Sequence, residues 1–531
     1  MVKEHGTVSL DEIRAAYEKE IASLRAELAR REEEHQAELK QLREELARTK
    51  SMLFAPRSEK TARLIASDAQ MTLFDEAEQE ADADIAVSVE EVSAVKAHSR
   101  KKKHTAKEPD LSKAEHNIVI EDIPENERIC PNCGSNDLKA VGKEYVRKEI
   151  RIIPAKVVVD EIYRKVYKCT ACENDEHTEL VKAPVHLALV PHSPVTPSVM
   201  TAVILNKFLF AVPLKRQEKL WEMMEISISR QTMANWIVYA YNLYLAPLLK
   251  LLRKKLLDEN VLHADETPVQ VMKEKGRKNT AKSYMWLYAT GEYAPRQIRI
   301  FDYRQGRKGD YAKEFLNGFK GYLHTDAYSG YGKVDGIVNC CCWAHARRKF
   351  AETITSGIKD RDNTIAGSAV KEINRLFEIE QAIKDKTAEE RLKERNKEAG
   401  PVIRALLACL EDAAVKVDRR SNISKAISYT LNHRTELSNY LRDGNCSVSN
   451  NLAERSIRPF TVGRKNWLFS GSPKGASASA AAYSIVETCR ANKIDAGDYL
   501  MYIFEHMPKE QSLNDEQILE KYLPWNMPKG E

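Results

Sequence analysis

Three acidic residues occur in sequence contexts that could bring them together for phosphoryl-transfer chemistry. Asp265 ends the short apolar run VLHAD, Asp326 ends the strand-like run GYLHTD, and Glu454 lies near the start of a helix that Asn450 and Asn451 should cap. Clustered carboxylates repel one another unless cations neutralise them, and their hard oxygens suit Mg²⁺. Two such ions about 3.5–4 Å apart can activate a water or 3′-hydroxyl and stabilise the leaving oxygen. The alternative for each residue is a solvated carboxylate at a strand or helix end.

The elements around these residues follow the order of a ribonuclease-H-like, retroviral-integrase-like α/β domain. Three strands, a helix and two further strands are predicted near 261–268, 284–289, 297–301, 311–319, 321–326 and 338–343. In that architecture the first and fourth strands are neighbours, so Asp265 and Asp326 should converge, and a helix alongside should bring in Glu454. We therefore expect a catalytic domain over residues 251–460.

The 128-residue separation between Asp326 and Glu454 is longer than such a core requires. Residues 358–445 are charged and helix-rich, which predicts an α-helical insertion within the catalytic domain. A helical C-terminal region should follow at 461–531.

Four cysteines form two CxxC pairs, Cys130 with Cys133 and Cys169 with Cys172, separated by a β-rich segment. Four thiolates at such knuckles make a closed tetrahedral zinc site, so we predict a zinc-ribbon-like domain over residues 116–182 with a structural Zn²⁺. The alternative is a redox dithiol, which needs only one of the two pairs.

The N-terminal segment is rich in Glu, Arg, Lys, Ala and Leu, and residues 11–53 contain no Gly or Pro. Leucines recur at heptad spacing with one four-residue stutter, which predicts a self-associating coiled coil over 1–60. A single amphipathic helix packed on its own protein is the alternative. The charge blocks that follow predict a flexible linker over 61–115.

Residues 183–250 are predicted to be a helical segment of helix-turn-helix type. Within it, ISISRQTMANW indicates a turn, a serine cap and a second helix. If that helix enters a major groove, the residues facing DNA are Arg230, Gln231, Thr232 and Asn235. An ordinary helical hairpin is the alternative.

Composition limits the remaining classes. The chain has 531 residues, and its 83 basic and 78 acidic residues leave a formal charge of only +5, so any nucleic-acid binding must come from local patches. Ten cysteines are too few for a disulfide scaffold, and the sequence has neither an 18-residue apolar run nor an apolar signal core. We expect a cytoplasmic, multidomain protein that does not bind a membrane.

Several blocks of the sequence resemble the signatures of the insertion-sequence sixty-six family of DDE transposases. They are HADETP, GYLHTDAYSGY, CCWAHARRKF and NNLAERSIRPFTVGRKNWLFSGS, joined by MLFAPRSEK near residue 52 and IPAKV…KCTACE. The similarity spans nearly the whole chain, and the blocks are long and occur in a shared order. It implies a large transposase subunit with a leucine zipper, a zinc-binding region and a DDE catalytic domain.

By this resemblance Asp265, Asp326 and Glu454 are the catalytic triad and hold two Mg²⁺ (or Mn²⁺) ions. His345 lies in the basic WAHARRK block and either supports the site or is a structural histidine. The further residues expected to contact DNA are Arg347, Arg348, Arg455, Arg458, Arg464, Lys465 and Trp467. Trp467 could stack on an unpaired base, and the alternative is a solvated basic face with a buried tryptophan.

The function that follows is a transposase that binds the terminal inverted repeats of its element, cuts a strand and joins it to target DNA. Double-stranded DNA is the expected partner, the coiled coil should form a homodimer, and the resemblance implies small accessory transposition proteins. The alternatives are an inactive DNA-binding relic or regulator, and a non-specific ribonuclease-H-like nuclease.

Overall fold

A computed structural model describes residues 156–168, 180–354 and 363–528, together with isolated residues between positions 27 and 145. The chain divides into a unit of residues 71–162 and a unit formed by 1–70 and 163–531. The predicted linker and the four zinc-ribbon cysteines lie outside the described residues, as does the predicted coiled coil apart from Glu27, Arg30 and Arg31, which are helical. The elements below belong to the second unit.

Eight strands and fourteen α-helices are described. The strands are β1 (Val166–Lys168), β2 (Leu180–Lys182), β3 (Val261–Val271), β4 (Lys282–Thr290), β5 (Arg299–Arg304), β6 (Tyr322–Thr325), β7 (Val338–Cys341) and β8 (Phe469–Ser470). The helices are α1 (Pro197–Phe208), α2 (Leu214–Glu222), α3 (Arg230–Ala240), α4 (Ala246–Leu257), α5 (Gly309–Phe315), α6 (Trp343–Ala351), α7 (Ile365–Ile383), α8 (Ala388–Lys416), α9 (Asn422–Asn432), α10 (Arg434–Ser438), α11 (Asn451–Trp467), α12 (Pro473–Ala491), α13 (Ala496–His506) and α14 (Glu516–Glu520).

A central mixed sheet has the strand order β5-β4-β3-β6-β7. β3 pairs antiparallel with β4 on one side and parallel with β6 on the other, and β6 pairs parallel with β7. Most residues of β3 and β4 are buried, the pattern of strands covered on both faces. The first and fourth strands of this sheet are therefore neighbours, as the element order requires. β1 and β2 form a separate antiparallel pair.

Strand β3 is longer than predicted, so Asp265 lies in the middle of a strand and not at its end. β6 pairs only as far as His263, whereas β4 accompanies β3 to Gln270 and β8 joins at Gln270. Pro268 lies between the residues of β3 that pair with β6 and those that pair with β8, so only β4 flanks the strand there. The other edge of β3 is open at this point and tolerates a residue without a backbone N–H. Asp265 therefore faces the gap left where β6 ends.

The helices that follow the third acidic residue complete the α/β unit. α11 packs against β3 and β4, and α12 packs along β5. α11 runs without interruption from Asn451 to Trp467, across the boundary predicted at residue 460. The catalytic domain and the C-terminal helical region are therefore not separated at that position. Within the described residues, no helix is both long enough and apolar enough to cross a membrane.

Helices α7–α10 occupy the predicted insertion. They share a hydrophobic core with β7 and α6, built around residues such as Trp343, Phe350, Leu376 and Leu406. The Trp343 indole N–H donates to the Leu437 carbonyl at 2.9 Å, which ties α6 to α10. The insertion is therefore packed on the edge of the sheet next to the residues that carry the site.

Helices α2 and α3 correspond to the predicted helix-turn-helix-like segment. Ser229 caps α3, because its hydroxyl accepts from the Thr232 N–H at 3.1 Å. The backbone N–H of Arg230 donates to Glu218 of α2 at 2.5 Å, which fixes the turn between the helices.

Candidate active site

Asp265 is one of four neighbouring carboxylates, with Glu266, Asp326 and Glu454, and we call this cluster the acidic pocket. Its Oδ1 accepts the backbone N–H of Glu266 at 2.8 Å. Burial raises the pKa of Asp265 well above its usual value, and the negative charges of Glu266, Asp326 and Glu454 raise it further. Such mutual repulsion requires that the four groups lie near one another. The three residues predicted from the sequence are therefore brought together, with Glu266 as a fourth member.

Asp326 directly follows β6 in a tight turn. Its Oδ1 accepts the Tyr328 N–H at 3.0 Å, and its Oδ2 lies 3.6 Å from a guanidinium nitrogen of Arg307. Ala327, between them, has a φ of +70°, a left-handed conformation that is strained for a residue with a Cβ. Strain of this kind persists where the surrounding structure imposes it, often at functional sites. The turn holds the Asp326 carboxylate near Asp265, whose pKa its negative charge raises.

Glu454 reaches the pocket from the first turn of α11. Its Oε1 lies 3.6 Å from His345 Nε2, and its Oε2 lies 3.9 Å from Arg348. Oε1 is buried without a hydrogen-bond partner, as is His345 Nδ1. Burial lowers the pKa of His345, so its imidazole is neutral near pH 7. His345 is thus positioned beside the third carboxylate, consistent with a role in supporting the site.

Asn450 positions α11, but not by capping it as the sequence suggested. Its side chain makes no capping bond; instead it crosses to β3. Oδ1 lies 2.9 Å from His263 Nδ1, and Nδ2 donates to the Ala264 carbonyl at 2.9 Å. Because Nδ2 is the donor to Ala264, Oδ1 is the acceptor and His263 carries its proton on Nδ1. This fully buried amide links the strand of Asp265 to the helix of Glu454.

Glu266, Arg307 and Tyr331 form a second part of the pocket that the sequence did not reveal. The Glu266 side chain is fully buried, accepts from Tyr331 at 2.6 Å and is paired with Arg307 at 2.5 Å. The Arg307 guanidinium lies over the Tyr328 ring, 4.1 Å from its centroid, and also approaches Asp326. Glu266 adjoins Asp265 in HADETP, but neighbours in a strand point to opposite faces, so the sequence predicted only one of them in the site. Arg307 belongs to no motif.

The donor set of the pocket fits hard divalent cations. Four carboxylates face two guanidinium groups, Arg307 and Arg348, so the fully ionised pocket carries a net charge of about −2. The unpartnered oxygen of Glu454 is available as a ligand. Oxygen-only sites of this kind suit Mg²⁺ or Mn²⁺.

The residues predicted to contact DNA differ in their exposure. Arg455 and Lys465 are exposed, as are Arg230, Gln231 and Asn235, and Thr232, Arg348 and Arg458 are half-buried. Two of the predicted residues donate to neighbouring side chains: Arg347 to Asn374 at 2.5 Å, and Arg464 to Thr267 at 2.8 Å. Gln231 donates to Asn235 at 2.9 Å on the exposed face of α3.

Trp467 is half-buried at the end of α11. Its ring meets Phe460 edge-on at 5.5 Å, and its indole nitrogen is buried. The ring is therefore partly buried, between the stacking residue that the sequence suggested and the alternative of a buried tryptophan. The exposed apolar side chains at this end of α11 are those of Leu468 and Phe469.

Comparisons with known proteins identify the family of the chain. Residues 192–478, more than half of the chain, match the model described as "Transposase IS66 family", and the chain belongs to this family. Residues 127–173 match the zinc-finger binding domain of transposase IS66, a range that includes all four cysteines of the CxxC pairs. Residues 41–113 match a model described as "Transposase C of IS166 homeodomain". The three matches occur in the order that the resemblance implied, which confirms it.

Relatives in Sinorhizobium fredii cover most of the chain. "Uncharacterized protein y4hP" is 29% identical over 492 residues, which is 88% of this chain and 85% of the relative. "Uncharacterized protein y4qI" is 27% identical over 428 residues, 78% of this chain and 76% of the relative. The similarity therefore extends well beyond the acidic pocket.

Proposed function

We propose that this transposase cuts and joins DNA at the acidic pocket, in a core of ribonuclease-H-like arrangement. The observation that carries the proposal is the convergence of Asp265 on β3, Asp326 after β6 and Glu454 on α11. The strand order β5-β4-β3-β6-β7, with only β4 antiparallel to its neighbours, supports the ribonuclease-H-like assignment. Carboxylates alone suffice for this chemistry because the nucleophile is a water or a 3′-hydroxyl and not a side chain.

Asp265, Asp326 and Glu454 are the residues that would hold the divalent ions. Two bound Mg²⁺ or Mn²⁺ ions supply activation of the attacking oxygen and stabilisation of the leaving oxygen. The chain's own groups shape the pocket around them. The Tyr328 N–H orients Asp326, Asn450 sets the position of α11, and neutral His345 lies 3.6 Å from Glu454 without adding positive charge.

Arg307 has two tasks in this proposal. It balances the buried charge of Glu266, and through Asp326 it lowers the repulsion within the pocket before ions bind. The guanidinium is 41% exposed, so it also faces the space that a DNA phosphate would enter. Arginine suits this role because its planar fork contacts carboxylate and phosphate oxygens together.

DNA recognition is assigned to separate parts of the chain. The exposed face of α3, with Arg230, Gln231 and Asn235, and the zinc-finger domain are proposed to bind the terminal inverted repeats. Arg348, Arg455, Arg458 and Lys465 are proposed to contact phosphates near the cut. A dimer formed through the leucine zipper would hold two element ends together, and a structural Zn²⁺ would stabilise the zinc-finger domain.

Measuring DNA binding and strand cleavage separately in the same variants distinguishes this proposal from an inactive DNA-binding protein. Asp265→Asn and Glu454→Gln remove ligands from the pocket but leave α3 and the zinc-finger domain intact. Both variants should bind a duplex carrying the element's terminal repeat with wild-type affinity in a gel-shift assay, while strand cleavage is lost. Loss of binding in both folded variants, or cleavage by either at the wild-type rate, would contradict the assignment.

A further inference from the structure

A second group of metal-binding side chains lies in the core, separate from the carboxylates. His324 on β6, Cys340 on β7 and Cys446 in the segment before α11 each bring one ligand atom within 4.8 Å of the other two. All three side chains are completely buried. His324 and Cys340 lie opposite each other in the β6–β7 pairing. The group is therefore built by three chain segments that are distant in sequence.

The His324 ring has unused hydrogen-bonding capacity. Nε2 accepts the Ser447 N–H at 3.3 Å, but Nδ1 is buried with no hydrogen-bond partner. The ring stacks on His263 with centroids 4.5 Å apart. A neutral imidazole is the form of histidine that ligates metals. An unpaired nitrogen in a fully buried ring is costly unless something binds it.

The two thiols contact each other and have few other partners. The sulfurs of Cys340 and Cys446 lie within 4.8 Å of each other. The other contact of Cys340 is a long one, 4.0 Å from its sulfur to the Val338 carbonyl. Thiolates bound to one zinc at about 2.3 Å would lie about 3.8 Å apart in a tetrahedral site. The ligand atoms already lie within 4.8 Å of one another, so binding needs a movement of about 1 Å at most.

Charge balance favours a divalent ion in this buried place. Binding would release one proton from each thiol, and two thiolates with a neutral imidazole cancel the charge of the cation. The nearest guanidinium, Arg395, donates to the Cys446 carbonyl at 3.1 Å, but Glu380 neutralises it through two bonds of 2.7 Å. The complex would thus add no net charge to the core.

We propose that His324, Cys340 and Cys446 bind a divalent transition metal of the zinc type, distinct from the ion of the zinc-finger domain and from the ions of the acidic pocket. Imidazole and thiolate ligands select such metals over Mg²⁺. Three protein ligands leave one tetrahedral position for a water molecule. The site would fasten the segment before α11 to β6 and β7, and so hold the helix of Glu454 against the strand that leads to Asp326.

Metal content of the purified full-length chain tests this proposal. After loading with ZnCl₂ and dialysis, the wild type should retain two zinc ions, one in the zinc-finger domain and one in the core. Cys446→Ala should retain one, and the matched control Cys409→Ala, which removes an exposed thiol, should retain two. One zinc ion in the wild type would overturn the proposal, whether or not the variants fold.

Cobalt substitution identifies the ligands. In the Co²⁺-loaded wild type, six thiolates should contribute to the thiolate-to-cobalt absorption, four from the zinc-finger domain and two from the core. Cys340→Ala should lose the contribution of the core site to this absorption. Cys446→His should bind the second metal equivalent that Cys446→Ala loses, because imidazole replaces the thiolate. An unchanged cobalt spectrum in folded Cys340→Ala would refute the assignment.

Discussion

Removing the Asn450 side chain should damage both the stability of the core and the geometry of the acidic pocket. The amide is fully buried and bridges β3 and α11 through two bonds of 2.9 Å. Asn450→Ala deletes both bonds, but its backbone N–H still donates to Cys342 Sγ at 3.1 Å. The start of α11 therefore keeps one anchor and loses two.

The expected loss of stability follows from the groups left without partners. The His263 Nδ1–H would lose its acceptor, and the Ala264 carbonyl would lose a donor. Each buried polar group without a partner costs about 1–3 kcal/mol, so the free energy of unfolding should fall by about 2–6 kcal/mol. The lower end applies if a water molecule enters the space left by the amide.

The effect on cleavage should be larger than the loss of stability alone explains. Glu454 lies one helical turn after Asn450, and α11 would be free to shift relative to Asp265. A displacement of about 1 Å at a reacting centre can reduce the rate about 10²-fold. We expect a loss of that order in single-turnover cleavage of a terminal-repeat duplex, at a temperature where the variant remains folded.

Urea unfolding followed by tryptophan fluorescence measures the first effect, and the cleavage rate measures the second. The matched control is Asn451→Ala, at the next residue, which is half-buried and should change the free energy of unfolding by less than about 0.5 kcal/mol. If Asn450→Ala unfolds at the same urea concentration as Asn451→Ala and cleaves at the wild-type rate, Asn450 does not set the position of Glu454.

Three further perturbations test other parts of the structure. Arg307→Ala leaves the buried Glu266 carboxylate without its cation and should lower the free energy of unfolding by about 2–3 kcal/mol, which is below the range for a fully buried pair because Arg307 is partly exposed. In urea unfolding, adding Glu266→Gln should recover most of this loss, and no recovery would contradict the pairing. Because burial and neighbouring carboxylates raise the pKa of Asp265, protonation stabilises the metal-free fold at low pH, and this stabilisation is lost as pH rises through the raised pKa. The increase in melting temperature produced by Mg²⁺ should therefore grow with pH, and in Asp265→Asn the increase should be small at every pH. Arg395→Met leaves Glu380 without its cation and removes the donor to three carbonyls in the segment before α11. The free energy of unfolding measured with urea should therefore fall by about 3–5 kcal/mol, and a fall below about 1 kcal/mol would show that the pair is dispensable.

Local patterns in the sequence predicted the strands and the helix that carry the three carboxylates, and the resemblance to the transposase family singled out these three residues. Apolar runs that end in Asp265 and Asp326 mark strands, and the block around Glu454 has the features of a helix start. The strand order then follows from a known arrangement of such elements. The sequence did not indicate that β3 continues past Asp265. A proline such as Pro268 predicts the end of a strand unless the positions of the partner strands are known.

The supporting groups of the site were not predictable for a different reason. Asn450 has the residue type and the position of a helix cap. Its side-chain amide bonds to β3 and not to the backbone of its own helix, and this depends on the approach of β3, which the local sequence does not indicate. Glu266 and Arg307 are far apart in sequence, and their pairing depends on the turn that follows β5. Contacts between distant segments carry no local signal, whereas strand and helix patterns do.

Cleavage of a labelled duplex carrying the repeats that flank this chain's own gene is the most direct test of the proposed function. The wild type and Asp265→Asn would be incubated with Mg²⁺, each with the repeat duplex and with a scrambled duplex. We predict a nick at the repeat boundary by the wild type alone, and none in the scrambled duplex. Nicking of both duplexes would indicate a non-specific nuclease, and cleavage by Asp265→Asn equal to the wild type would show that the acidic pocket is not the catalytic site.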